Sequence, residues 1–212
     1  MSPLSDTTNS PKLRPTAKAN AVVHVTNEEA TLDLTEAATS VTNEQEAILD
    51  LTEAEVRDCQ AKWADAITTI SAAYLEKGDY VKAAGEAAGE LYGYGHCNVL
   101  FKPTKATKHP FRPTGEEAMS YFVGAAAMGD DKFKGEDAGF AINGGKGWRH
   151  VEFTNHQIDL NGPIAIAMGS YAFTCATTGQ VATVEYTFGY KRNKDGKARI
   201  FLHHSSVPYS AH

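Results

Sequence analysis

The chain has 212 residues and a formal net charge of −6, room for one substantial domain plus a tail and too little for two average ones. Residues 1–60 hold 11 acids against 4 bases, whereas residues 61–212 hold 15 acids and 16 bases. The acidity therefore belongs to the N-terminal end, the rest has no basic stripe for nucleic acid, and no apolar run approaches the ~20 residues of a membrane span.

Residues 1–24 are rich in Ser, Thr, Pro, Asn and Lys. They are expected to be disordered, and they lack the apolar core of a secretory signal. Val25–Ala37 then recurs as Val41–Ala54. Two copies at so short a period do not make a solenoid. The repeat reads as a duplicated linker or, equally, as an acidic amphipathic arm that docks on a partner. Residues 1–51 are thus expected to form a disordered or partly helical acidic arm, and residues 52–212 a single domain.

That domain opens with Thr52 and Glu55 at capping-box spacing. Val56, Cys59, Trp63, Ala66, Ile67, Ile70 and Tyr74 follow at three- and four-residue steps, one apolar helix face. Lys77-Gly78 stops the helix. Asp79 caps a second helix over Tyr80–Leu91. Asn98–Lys102 is a short strand ended by Pro103. Thr114 and Glu117 open a third helix running to about Met128, and a Gly- and Asp-rich segment occupies 129–147.

Four strands follow, over about 148–160, 164–175, 181–192 and 198–207. Turns at Asn161-Gly162, Thr178-Gly179 and Asp195-Gly196 join them. Sequential hairpins predict an antiparallel meander, and helices first with a meander last is an α+β pattern, the helices packed on one face of a curved sheet. Three helices followed by a strongly bent meander resemble the cone-shaped barrel of the ketosteroid-isomerase and SnoaL-like superfamily, which hosts enzymes and binding modules alike. Cys59, Cys97 and Cys175 are far apart and odd in number. They read as free thiols in a reducing compartment, either plastid or cytoplasm, with Cys97 beside His96 the one in a slightly electropositive setting.

Several stretches together resemble the iota-class carbonic anhydrases. They are Glu90-Leu91-Tyr92, Leu100-Phe101-Lys102-Pro103-Thr104, Pro110-Phe111-Arg112-Pro113-Thr114, Ser120-Tyr121-Phe122-Val123-Gly124, Gly139-Phe140-Ala141-Ile142, Met168-Gly169-Ser170-Tyr171, Tyr186-Thr187-Phe188-Gly189-Tyr190, and His203-His204-Ser205-Ser206-Val207-Pro208. They run in family order over about 60–209, and the closing His-His-Ser-Ser-x-Pro is the most specific. The resemblance implies reversible hydration of CO2 to bicarbonate, without a metal in some members and with manganese favoured in others. It also implies tandem domains, which fits the linker repeat, and homodimers formed through the outer face of the sheet.

Hydrating CO2 needs a water held beside an electrophilic carbon, a destination for a proton, and donors for the developing carboxylate. No convincing zinc triad is visible: His150 and His156 are six residues apart, roughly 20 Å along a strand, and His203 and His204 point to opposite faces. The expected site is metal-free and needs no cofactor. Thr104 ends a strand at a family motif position, Tyr121 lies on the third helix, and a Ser and a His come from the last strand. The His would accept the water proton near its ordinary pKa of ~6.5. Strand alternation puts Ile200, Leu202, His204, Ser206 and Pro208 on one face, and Arg199, Phe201, His203, Ser205 and Val207 on the other. The first set starts more apolar, so His204 and Ser206 are assigned to the interior, and His203 and Ser205 to the dimer face. A bulge would exchange the two sets, which keeps Ser205 and His203 among the candidates. Tyr171, Tyr186 and Tyr190 read as sheet packing and interface residues, Trp63 as helix-face core, and Arg112 as a surface or dimer ion pair. Two rival readings stay open. One is the same reaction with Mn or Zn held by one of these His and distant residues such as His96 or Glu185. The other is a non-catalytic oligomerisation or ligand-binding module.

Overall fold

The structure, a computed structural model, describes residues 50–210. The N-terminal arm and its duplicated motif lie, up to residue 49, outside the described residues. The elements are α1 (Glu53–Leu75), α2 (Tyr80–Leu91), β1 (Leu100–Lys102), α3 (Gly115–Val123), α4 (Ala125–Met128), a 3-10 turn at Asn143–Gly145, β2 (Trp148–Asn161), β3 (Ile164–Cys175), β4 (Val181–Arg192) and β5 (Ala198–Ser206).

The capping box forms as the spacing predicts: Glu55 N donates to Thr52 Oγ1 at 3.3 Å, and Thr52 N to Glu55 Oε2 at 3.0 Å. Packing begins one residue earlier, since Leu51 is buried and its amide donates to Gly162 O at 2.8 Å. The third helix does not run on to Met128. Gly124 adopts φ +99° and splits it into α3 and α4, a conformation open to glycine because no Cβ clashes there. The break leaves the Tyr121 and Phe122 carbonyls free to accept the Phe140 and Ala141 amides, each at 2.9 Å. The Gly139–Ile142 island is thus tied to the end of α3. Among the described residues no helix is long and apolar enough to cross a membrane.

The sheet has the order β1-β5-β4-β3-β2. Strands β2 to β5 form the antiparallel meander expected from the turns. To it β1 adds a parallel edge, with Phe101 opposite His203, as a long connection permits and a hairpin does not. The helices cover one face. Its inward residues include Ala165, Ala167, Tyr171 and Phe173 on β3 and Tyr186, Phe188 and Tyr190 on β4, all buried with Trp63, Ile67 and Ile70 of α1 in one core.

Besides a register shift between Trp148 and His150 at the start of β2, two β-bulges interrupt the alternation opposite a strand glycine. On β2 the register slips between Asn155 and Gln157, opposite Gly169 and Met168. On β5 it slips at Phe201: Leu202 pairs with Gly189, but Ile200 pairs with Tyr190. A Cβ at Gly189 would lie 2.7 Å from Phe201 Cε1 and 2.8 Å from Leu202 Cβ, so the glycine is what lets the extra residue fit. Strict alternation fails from this point on, because one extra residue exchanges the two faces.

Candidate active site

The bulge reverses the assignment of the last strand. His203 and Ser205 are buried on the inner face, 3% and 2% exposed, whereas His204 and Ser206 are exposed on the outer one. Ile200 still points inward, so the apolar start of the strand is a correct guide only up to Phe201.

His203 sits in an aromatic shell. The ring of its cross-strand partner Phe188 is 4.0 Å away, centroid to centroid, and that of Phe101 stacks on it at 4.7 Å. Trp63 meets it edge-on at 5.8 Å. Burial holds its pKa well below the ordinary 6.5, since an apolar shell disfavours the charged form. A histidine with an unperturbed pKa was expected here; this one stays neutral across the physiological range. Its Nδ1 is 2.7 Å from the Tyr92 hydroxyl and its Nε2 is 3.0 Å from Ser205 Oγ. The Tyr171 hydroxyl lies against Ser205 Oγ and 3.4 Å from Nε2. Tyr171 is therefore an interior residue, not an interface one.

The second group is Thr104 and Tyr121. Tyr121 is buried on α3 and hydrogen-bonds to Thr104 and to the backbone at Lys105. Burial nevertheless pushes its phenol well above the usual 10. Its ring stacks on Phe140 at 5.6 Å and meets Phe101 edge-on at 5.8 Å. Phe101 thus touches both groups, its ring packing against Tyr121 and His203. The structure brings Thr104, Tyr121, His203 and Ser205 to one region and leaves His204 and Ser206 out of it. Tyr121 also lines an open cavity of about 290 Å³, bounded by Lys105, Phe140 and Trp148.

A buried ion pair braces this region. Arg112 is fully buried rather than a surface residue, and its guanidinium holds both carboxylate oxygens of Asp137, at 2.9 and 3.1 Å. Ser120, the neighbour of Tyr121, donates to the same carboxylate at 2.8 Å. Glu136 accepts the amides of Thr107, Lys108 and His109, the last two at 2.7 and 3.3 Å, and so pins the loop that follows Thr104. Neither anchor was legible beforehand, because the Gly- and Asp-rich segment carries no periodicity.

On the outer face His204 and Ser206 line a groove of about 510 Å³ with His156, Ser170 and Glu185. Glu185 and His204 both lie here, away from His203. Among the described residues no group of three or more His, Cys, Asp or Glu is placed to hold a metal ion.

The chain is thus an α+β protein, a helix-covered sheet whose inner face gathers hydroxyls and one neutral imidazole inside aromatic walls. Residues 54–207 match the family described as metal-independent carbonic anhydrase. A metal-independent carbonic anhydrase of Nostoc sp. (strain PCC 7120 / SAG 25.82 / UTEX 2576) is 40% identical over 161 residues, 73% of each chain. The crystal structure of the iota-carbonic anhydrase from a cyanobacterium, complexed with bicarbonate, is similar at TM-score 0.69 and 38% identity, covering 77% of this chain and 96% of that one. The chain belongs to the metal-independent carbonic anhydrase family.

Proposed function

We propose that this protein hydrates CO2 reversibly to bicarbonate on the inner face of β5, using Thr104, Tyr121 and Ser205, with His203 and Tyr171 orienting Ser205. The observation that carries the reading is that the two hydroxyl pairs, Thr104–Tyr121 and Ser205–Tyr171, are joined through Phe101 in the aromatic shell of His203. CO2 is apolar overall, so aromatic walls accept it at little desolvation cost. In the reaction the water oxygen bonds to carbon, one C=O electron pair moves onto oxygen, and a proton leaves. The new negative charge falls on oxygens that fixed hydroxyl donors meet, which lowers the barrier most where water is excluded. Burial raises the pKa of Tyr121 and Tyr171, so both remain donors at neutral pH. The proton departs to solvent through the cavity that Tyr121 lines.

The experiment is stopped-flow CO2 hydration by the full chain, before and after exhaustive chelation. Activity that survives chelation is the expected result. Activity lost with chelation points to the Mn or Zn reading, and no activity in either sample overturns the enzyme reading.

The outer face supports a homodimer. Leu100, Met168 and Ile166 are exposed there, at 61%, 53% and 38%, and Met168 lines the same groove as His204. Light scattering tests this, and a monomer at micromolar concentration overturns it.

A further inference from the structure

The hydrogen bonds behind Ser205 run in one direction. The indole N–H of Trp63 can only donate, and it donates to the Tyr92 hydroxyl at 2.9 Å. Tyr92, just beyond the end of α2, is 3% exposed. Its own O–H proton therefore needs an acceptor, and His203 Nδ1 lies 2.7 Å away. A neutral imidazole has one donor and one acceptor nitrogen. With Nδ1 accepting, the ring proton is on Nε2, which faces Ser205 Oγ at 3.0 Å.

We propose that Trp63 and Tyr92 are positioning residues that lock His203 as the Nε2–H tautomer and thereby leave the Ser205–Tyr171 pair with one hydroxyl proton to donate to the substrate. Ser205 Oγ accepts from Nε2–H, and the close Ser205–Tyr171 contact uses one of their two O–H protons. The other is free for an oxygen of bicarbonate. In the opposite tautomer Ser205 would donate to Nε2, Tyr171 would donate to Ser205, and nothing would remain. The buried Tyr92 proton would also lose its acceptor.

The same polarity sets the chemical character of Ser205. At 3.0 Å from an imidazole it has the spacing of a nucleophile–base pair, but activating a serine requires an acceptor nitrogen facing it. Here a donor faces it. Ser205 stays a neutral hydroxyl and forms no covalent intermediate.

The benefit to catalysis rests on the CO2-hydration reading, whereas the tautomer does not, so the test reads them separately. Nitrogen-15 NMR of histidine-labelled full-length protein, with the His203 signals identified by their loss in His203→Gln, should show a protonated Nε2 and a bare Nδ1 throughout the neutral range. A protonated Nδ1 in the wild type overturns the proposal whatever the activity. A serine-directed fluorophosphonate should leave Ser205 unlabelled, and labelling there overturns it too. Tyr92→Phe removes the proton held by Nδ1 and keeps the ring. The tautomer should become mixed, and kcat/KM for CO2 should fall roughly 10-fold, the scale of one buried hydrogen bond. Should Tyr92→Phe not fold, Trp63→Phe, which keeps an aromatic ring and removes the N–H, should shift the same signals by less. An unchanged tautomer and unchanged kinetics in the folded variant would sink the positioning role.

Discussion

The two faces of β5 carry the same residue types in the same order, a His and then a Ser two positions on. On the inner face His203 is walled by Phe101, Phe188 and Trp63 and hydrogen-bonded at both nitrogens. On the outer face His204 and Ser206 lie open to solvent, and the Ser206 hydroxyl only reaches Glu185 at 3.5 Å. Residue identity is therefore not what separates a candidate site from a surface. Burial removes water as a competing partner, so each polar group must find a protein partner and is held in place by it. That fixed arrangement is what a reaction needing oriented donors requires.

The contrast can be broken most forcefully at its origin. Gly189→Val puts side-chain atoms where Phe201 and Leu202 already sit. It should cost about 3 kcal/mol, the upper range for overpacking, in urea unfolding. Wild-type stability would show that the bulge does not depend on the glycine. Ser205→Ala should lower CO2 hydration by about 100-fold, the scale of losing one oriented donor, while Ser206→Ala keeps the wild-type rate; the reverse pattern would move the site to the outer face. Thr104→Ala should cost roughly 10-fold by the same assay without lowering the unfolding midpoint, in line with one hydrogen bond lost. A wild-type rate would remove Thr104 from the site.

The smallest effect tests the burial of His203 by pH. The folded-state pKa of His203 lies below its unfolded value. As pH falls below ~6.5 the unfolded chain binds a proton there that the native state does not, so stability drops. The slope from this one group approaches ~1.4 kcal/mol per pH unit until the depressed native pKa is reached. The stability of wild type minus that of His203→Gln, followed by urea unfolding, should fall as pH drops below ~6.5, and a difference that does not vary with pH would contradict the burial of His203.

Much of the fold was legible because its signals are local. The Thr52/Glu55 capping box, the apolar face from Val56 to Ile70 and the three Gly-containing turns each depend on residues a few positions apart. The four strands fall within a residue of where alternation and turns place them. The facing of His203 and Ser205 was not legible from alternation, because one extra residue at Phe201 resets it. Gly189 was the available sign, a glycine inside a strand that otherwise reads as apolar and aromatic. Gly169 marks the second bulge in the same way.

By itself the sequence determined the α+β architecture, the family motifs and the residue types of the last strand. Tertiary structure decided which His and which Ser face inward, that Tyr92 and Tyr171 join them, and that Arg112 is buried on Asp137. The physical reason is range. Periodicity and capping act over a few residues, whereas a bulge is set by the strand it pairs with, and the Trp63–Tyr92–His203 chain joins a helix, a loop and a strand that only the packed core brings together.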